Sequence, residues 1–119
     1  MHDGTFDPKA WLLDTRNIAL RIEDDLGMFE HCGPGIYLGH VWFQSRGREA
    51  VTRAKAILAE MFASYGATRI NGETPVTCPH AWAFARLLGF KRIGFAMRPM
   101  GVVILSTLNG NLKPPASVP

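Results

Sequence analysis

With 119 residues, 47% hydrophobic and 19% charged, the chain has room for one domain around one modest core. No apolar run is long enough to cross a bilayer, and the opening MHDGTFDPKAW lacks the basic-then-apolar order of an export signal, so no membrane span is expected and a cytoplasmic location is. The net charge of +3 is uneven: residues 1–45 carry three basic and seven acidic groups, residues 46–99 carry nine basic and three acidic, and Lys113 adds one more.

In chain order, Asp7 as N-cap and Pro8 at the first helical position predict a short helix to about Asp14. Alternation over 17–23 predicts a strand, residues 24–27 (DDLG) a turn, and 28–32 a second strand. After a turn at 33–35, the β-branched and aromatic run 36–44 predicts a third strand and completes a meander. Ala50, Ala54, Ile57, Leu58, Met61, Phe62 and Tyr65 form one helical stripe that Gly66 ends. Glu49 and Arg53 form an i, i+4 pair off that stripe. A strand over 67–75 follows, then a helix capped near Cys78 with Pro79 in its first turn. Its stripe is Cys78, Ala81, Phe84, Ala85 and Leu88. Residues 91–97 and 101–108 predict two last strands. The expected architecture is a single α/β domain over 1–109 with a mixed, mostly antiparallel sheet flanked by helices, followed by a Pro-rich tail over 110–119.

The basic second half suits an anionic ligand, but its aromatics are not interleaved with basic residues at a spacing for stacking bases, which disfavours nucleic acid. Cys32 and Cys78 are expected as free thiols. The pairs His31–Cys32 and Cys78–His80 do not have a recognised zinc-ligand spacing, so no metal is expected. The junction FQSRGREAV carries the clearest chemistry. A helix start leaves backbone N–H groups without partners at the positive end of the dipole, Gly47 permits close approach, and Arg46 and Arg48 add donors suited to phosphate. No Gly-Lys-Ser/Thr follows and the dinucleotide glycine spacing is absent, which excludes both of those phosphate motifs. A plain structural turn is the alternative reading.

VWFQSRGREAV resembles the pyrophosphate turn of the GNAT acetyltransferase superfamily, in which Gln/Arg-x-x-Gly-x-Gly/Ala opens a helix: Gln44 and Gly47 fit, Glu49 replaces the small residue, and Ala50 follows. CPHAWAFARLLGFKRIG resembles the family's next helix and strand through Ala81, Leu88, Gly89, Phe90, Lys91 and Gly94. There Cys78 stands for the usual Asn, and Ala85, beside Phe84, for the usual Tyr acid. The resemblance covers residues 6–108 and lacks the family's first strand and helix; in pattern it is similar to short phage-encoded proteins of this type, a group that includes head-assembly proteins.

The resemblance implies an acetyl-coenzyme A-dependent N-acetyltransferase acting on an amine, or a non-catalytic phage virion or head-assembly module acting through protein contacts in the host cytoplasm or the virion. Arg46, Gly47, Arg48, Glu49 and Ala50 would hold the pyrophosphate next to Gln44. Val41, Trp42 and Phe43 would meet the pantetheine arm and polarise the thioester, with Cys78 and Phe84 on the cofactor side. His40 is the candidate base, since imidazole titrates near neutrality, and Glu30 lies on the adjacent strand. In composition alone, Trp42, Phe43 and Trp82 read as core, Cys78 as a small buried residue, and Glu30 as a surface carboxylate.

Overall fold

A computed structural model describes residues 14–110. The N-terminal helix predicted to Asp14, with Trp11, and the tail beyond Gly110 lie outside the described residues.

Six strands and two helices follow in the order β1 (Ile18–Ile22), β2 (Asp25–Gly33), β3 (Ile36–Trp42), α1 (Gly47–Ser64), β4 (Arg69–Pro75), α2 (Pro79–Leu87), β5 (Lys91–Arg98) and β6 (Gly101–Asn109). They form one sheet in the order β1-β2-β3-β4-β6-β5, antiparallel except where β3 meets β4. The first hairpin differs from expectation. Its turn is only Glu23 and Asp24, with Glu23 in the left-handed region at φ +56°, and Asp25 already pairs with Ile22. The predicted turn residues Asp25, Leu26 and Gly27 are therefore strand, because Asp25 enters the fold as a buried acceptor rather than a solvated turn carboxylate.

The helical stripe of α1 packs on the sheet. Ala50, Ala54, Ile57, Leu58 and Met61 are buried, and Phe29, Tyr37, Ala67 and Ile70 complete the cluster. Met61 and Ile70 are fully enclosed, and each contributes about 1.5–3 kcal/mol by leaving water. Tyr65 is the exception to the predicted stripe. It caps the helix at φ −116° and is exposed, since the chain leaves α1 there for β4.

Helix α2 starts as predicted, with Cys78 as N-cap and Pro79 at the first helical position. Its stripe is only partly covered. Phe84, Ala85 and Leu88 are half-buried, whereas Ala81 and Cys78 are exposed, and the helix has no buried residue. The expectation of a buried Cys78 is thus corrected: among the described residues no layer packs over the start of α2. Cys32 is exposed too, and both cysteines are free thiols. No helix among the described residues is long and apolar enough to cross a membrane.

Candidate functional site

Strands β3 and β4 pair only through Ile36–Arg69, Tyr37–Ile70 and Leu38–Asn71. Beyond that point each stays with its other neighbour: Val41 and Trp42 pair with Gly27 and Leu26, while Thr74 and Pro75 pair with Ile104 and Val103. The sheet therefore opens as a V. The first residue past the last pair, Leu38–Asn71, is glycine on both arms, Gly39 and Gly72, so neither strand carries a side chain where the arms begin to part. Alternate N–H and C=O groups of each free arm face the opening, because successive residues of a strand point them to opposite edges. A cleft of about 460 Å³ occupies the V, floored by Phe29, Ile57, Leu58 and Ile70 and closed on one side by Phe84 and Ala85 of α2 and by its C-cap Leu88.

The β3 arm runs straight into the junction before α1. Asp25, fully buried, holds that junction: its carboxylate accepts from the backbone N–H of Gln44 at 2.6 Å and of Ser45 at 3.0 Å, from the Ser45 hydroxyl, and from Arg53 Nη1 at 3.1 Å. This capture ends β3 at Trp42 rather than at the predicted Gln44. Burial pushes the Asp25 carboxyl up, but the bonds from Ser45, Gln44 and Arg53 outweigh it and hold the group well below the usual carboxylate range. With the amides of Gln44 and Ser45 engaged, the donors that face outward begin at Arg46, the N-cap, which has an extended backbone and no side-chain cap. Gly47 takes φ +61°, and a Cβ there would meet nothing within 4 Å, so the approach to the first turn of α1 is open.

The charged residues of the junction divide. Arg46 Nη1 lies 3.3–3.5 Å from the carbonyls of Phe43, Gln44 and Ser45, so its guanidinium folds onto its own loop. Arg48 is exposed beside it. Glu49, the departure from the small residue of the family turn, has its carboxylate 3.0 Å from Arg53 Nη2. That contact turns it back along α1 toward the next turn of the helix. Ala50 is buried beneath the turn.

His40 and Glu30 share a sheet face, and His40 Nε2 lies 3.7 Å from Glu30 Oε1. Of the two, His40 lines the cleft. Val41, Trp42 and Phe43 line it as well. Trp42 is 50% exposed, which corrects its reading as core: it stands on the free arm of β3. Phe43 packs on the core edge and meets Phe84 edge-on at 6.2 Å between ring centres, tying the end of β3 to α2 across the cleft. Cys78 is not among the cleft-lining residues. Among the described residues no three His, Cys, Asp or Glu side chains gather as for a metal.

Sequence reasoning missed Asp25, which sat inside a turn signal, and the polar β4 arm. Asn71 stands at the vertex with its buried Oδ1 unpaired among the described residues. Glu73 lines the cleft and is clamped by Arg98 through contacts of 3.0 and 2.6 Å. The alternation of polar residues Arg69, Asn71 and Glu73 in RINGETP was the available signal, but its partners lie on β6 and β5, far along the chain.

No protein-family profile and no curated protein matches the chain. Solved structures do. A chimera of spermidine N-acetyltransferase SpeG from Vibrio cholerae and hSSAT superposes with TM-score 0.73 at 15% identity, over 85% of this chain and 74% of that one. A GNAT-family acetyltransferase from Bacillus anthracis gives TM-score 0.64 at 16% identity over 71% and 57%. Aminoglycoside acetyltransferase AAC(6')-Ib in complex with coenzyme A and kanamycin gives 0.60 at 15% over 71% and 59%, so the chain spans under two thirds of the length of that enzyme. The described residues have the fold of the GNAT N-acetyltransferases, with a six-stranded, mostly antiparallel sheet and two helices.

Proposed function

We propose that the protein binds acetyl-coenzyme A in the V between β3 and β4 and transfers the acetyl group to an amine. The observation that carries this reading is the continuity of the opened strand arm, glycine at the vertex, with an uncapped helix start at Gly47. The pyrophosphate sits on the amides from Arg46 to Glu49, above the buried Ala50 and joined by Arg48, and the pantetheine arm runs along Val41 and Phe43. A backbone N–H of the free β3 arm polarises the thioester carbonyl. His40 accepts the proton of the attacking amine, directly or through water, with the Glu30 carboxylate 3.7 Å from its Nε2. Asn71 Oδ1 is placed to accept an N–H of the ligand at the vertex. One neighbour is an aminoglycoside acetyltransferase in complex with coenzyme A and kanamycin and another is a spermidine N-acetyltransferase; kanamycin and spermidine are amines, which supports the same two ligand classes here.

Ala85 supplies no hydroxyl where the family has its Tyr, so the leaving thiolate takes its proton from water, and turnover is expected to be about 10²–10⁴-fold below that of a relative with the acid in place. A non-catalytic binding module is the second reading, favoured by the motif departures at Glu49, Cys78 and Ala85, and the phage-type resemblance rests on sequence pattern. Thiol release from acetyl-coenzyme A, followed with a panel of polyamines, aminoglycosides and peptide N-termini, separates them. Release that depends on one amine class, and that falls about 10²-fold in His40→Gln with little change in KM for acetyl-coenzyme A, is expected of the enzyme. Binding without release for any amine identifies the module.

A further inference from the structure

We infer that Arg53 is a positioning residue for the cofactor turn, holding the Glu49 carboxylate away from the diphosphate. This inference rests on the reading of that turn as the acetyl-coenzyme A site. Position 49 is where this sequence departs from the family pattern, and an acidic side chain there lies in the first turn of α1, next to the amides that would receive the phosphates. A carboxylate free to swing forward would repel them.

The geometry shows how the chain tolerates it. Arg53 lies one turn along α1 and presents its two terminal nitrogens to different carboxylates, Nη1 to Asp25 at 3.1 Å and Nη2 to Glu49 at 3.0 Å. The planar guanidinium can serve both at once, and the first contact fixes the second. Asp25 is fully buried and itself locked by the amides of Gln44 and Ser45, so the Arg53 fork is anchored at its base. The same carboxylate that shapes the loop thereby aims the arginine that turns Glu49 aside. Glu23, in the turn before β2, adds a further negative group near Arg53. The acidic residue that breaks the family pattern, its arginine and the buried aspartate form one unit: Asp25 to Arg53 to Glu49.

The test is a rescue experiment on the full chain, with acetyl-coenzyme A binding read by calorimetry. Arg53→Met is expected to weaken binding at least about tenfold, since like charges are then juxtaposed. Adding Glu49→Gln to Arg53→Met is expected to recover most of that loss. A merely structural arginine would not be rescued by removing a charge. Should Arg53→Met fail to fold, Arg53→Lys takes its place: one ammonium cannot fork between two carboxylates, so a smaller loss with the same rescue is expected. Binding in Arg53→Met or Arg53→Lys equal to that of the unsubstituted protein overturns the inference, as does a loss that Glu49→Gln leaves in place. If the unsubstituted protein itself binds no acetyl-coenzyme A, the site reading fails instead.

Discussion

Asp25 shows how one carboxylate can set a local structure. Its folded pKa is depressed, so the stability it contributes is complete above the ordinary carboxylate value near about 4 and drains away as pH falls below it toward the folded value. The melting temperature is accordingly expected to fall between about pH 5 and pH 2. In Asp25→Asn the melting temperature should be lower at neutral pH and its acid slope flatter. Some slope will remain, because Asp14, lowered to about 2 by its hydrogen bonds with Arg16, titrates in the same range. An Asp25→Asn protein with the acid slope unchanged would contradict this account, as read by calorimetric melts across that range. Nothing in the sequence distinguished Asp25 from Asp24, since both stand in a turn-forming run. Only the hairpin register, with Ile22 opposite Asp25, turns one outward and buries the other. The arginines of the junction were legible as basic residues, but whether each faces a phosphate or its own carbonyls depends on loop shape, and Arg46 took the second course.

At the scale of elements, α1 was the most readable part of the chain, because a stripe of five small and aliphatic residues at helical spacing has one way to be buried. Its seat on the sheet depends on a feature outside the helix. A Cβ at Gly27 on β2 would lie 2.9 Å from an Ile57 methyl and 3.2 Å from the Phe29 ring, so the helix approaches that strand closely. Gly27→Val is expected to cost about 1–3 kcal/mol by overpacking, and it should weaken acetyl-coenzyme A binding as well, because the first turn moves with the helix. Denaturant melts with a parallel binding titration check both effects. Wild-type stability in Gly27→Val would show that the helix seats elsewhere. Helix α2 reads equally well as a pattern but stays half-covered, since its sequence stripe says nothing of whether another layer lies over it. Gly47→Ala isolates the turn. Its φ of +61° costs an L-residue about 1 kcal/mol, with no clash to relieve, so a melting temperature lower by a few degrees is expected. An unchanged melting temperature would mean that position 47 does not hold this backbone.

The described residues form two three-stranded halves, β1-β2-β3 and β4-β6-β5, joined by three residue pairs and bridged by the packing of α1. The order of elements, and hence the layout of the sheet, followed from local periodicity and from two motifs. The V did not, because it arises where each middle strand keeps faith with its outer neighbour, a long-range choice that no local pattern encodes. The polar arm of Asn71 and Glu73 became part of the site for the same reason. Among the described residues β5 is an edge strand, and its Ile93, Phe95 and Met97 are exposed. The central claim is that the V and the turn after it form one site for acetyl-coenzyme A, and thermal melting with added ligand tests it most directly. A ligand at a hundred times its Kd stabilises the folded state by about 2.7 kcal/mol, so a rise of at least about 5 °C is predicted with acetyl-coenzyme A, and a much smaller one with S-acetylpantetheine, which lacks the phosphates. No rise at millimolar acetyl-coenzyme A, or an equal rise with both compounds, would contradict it.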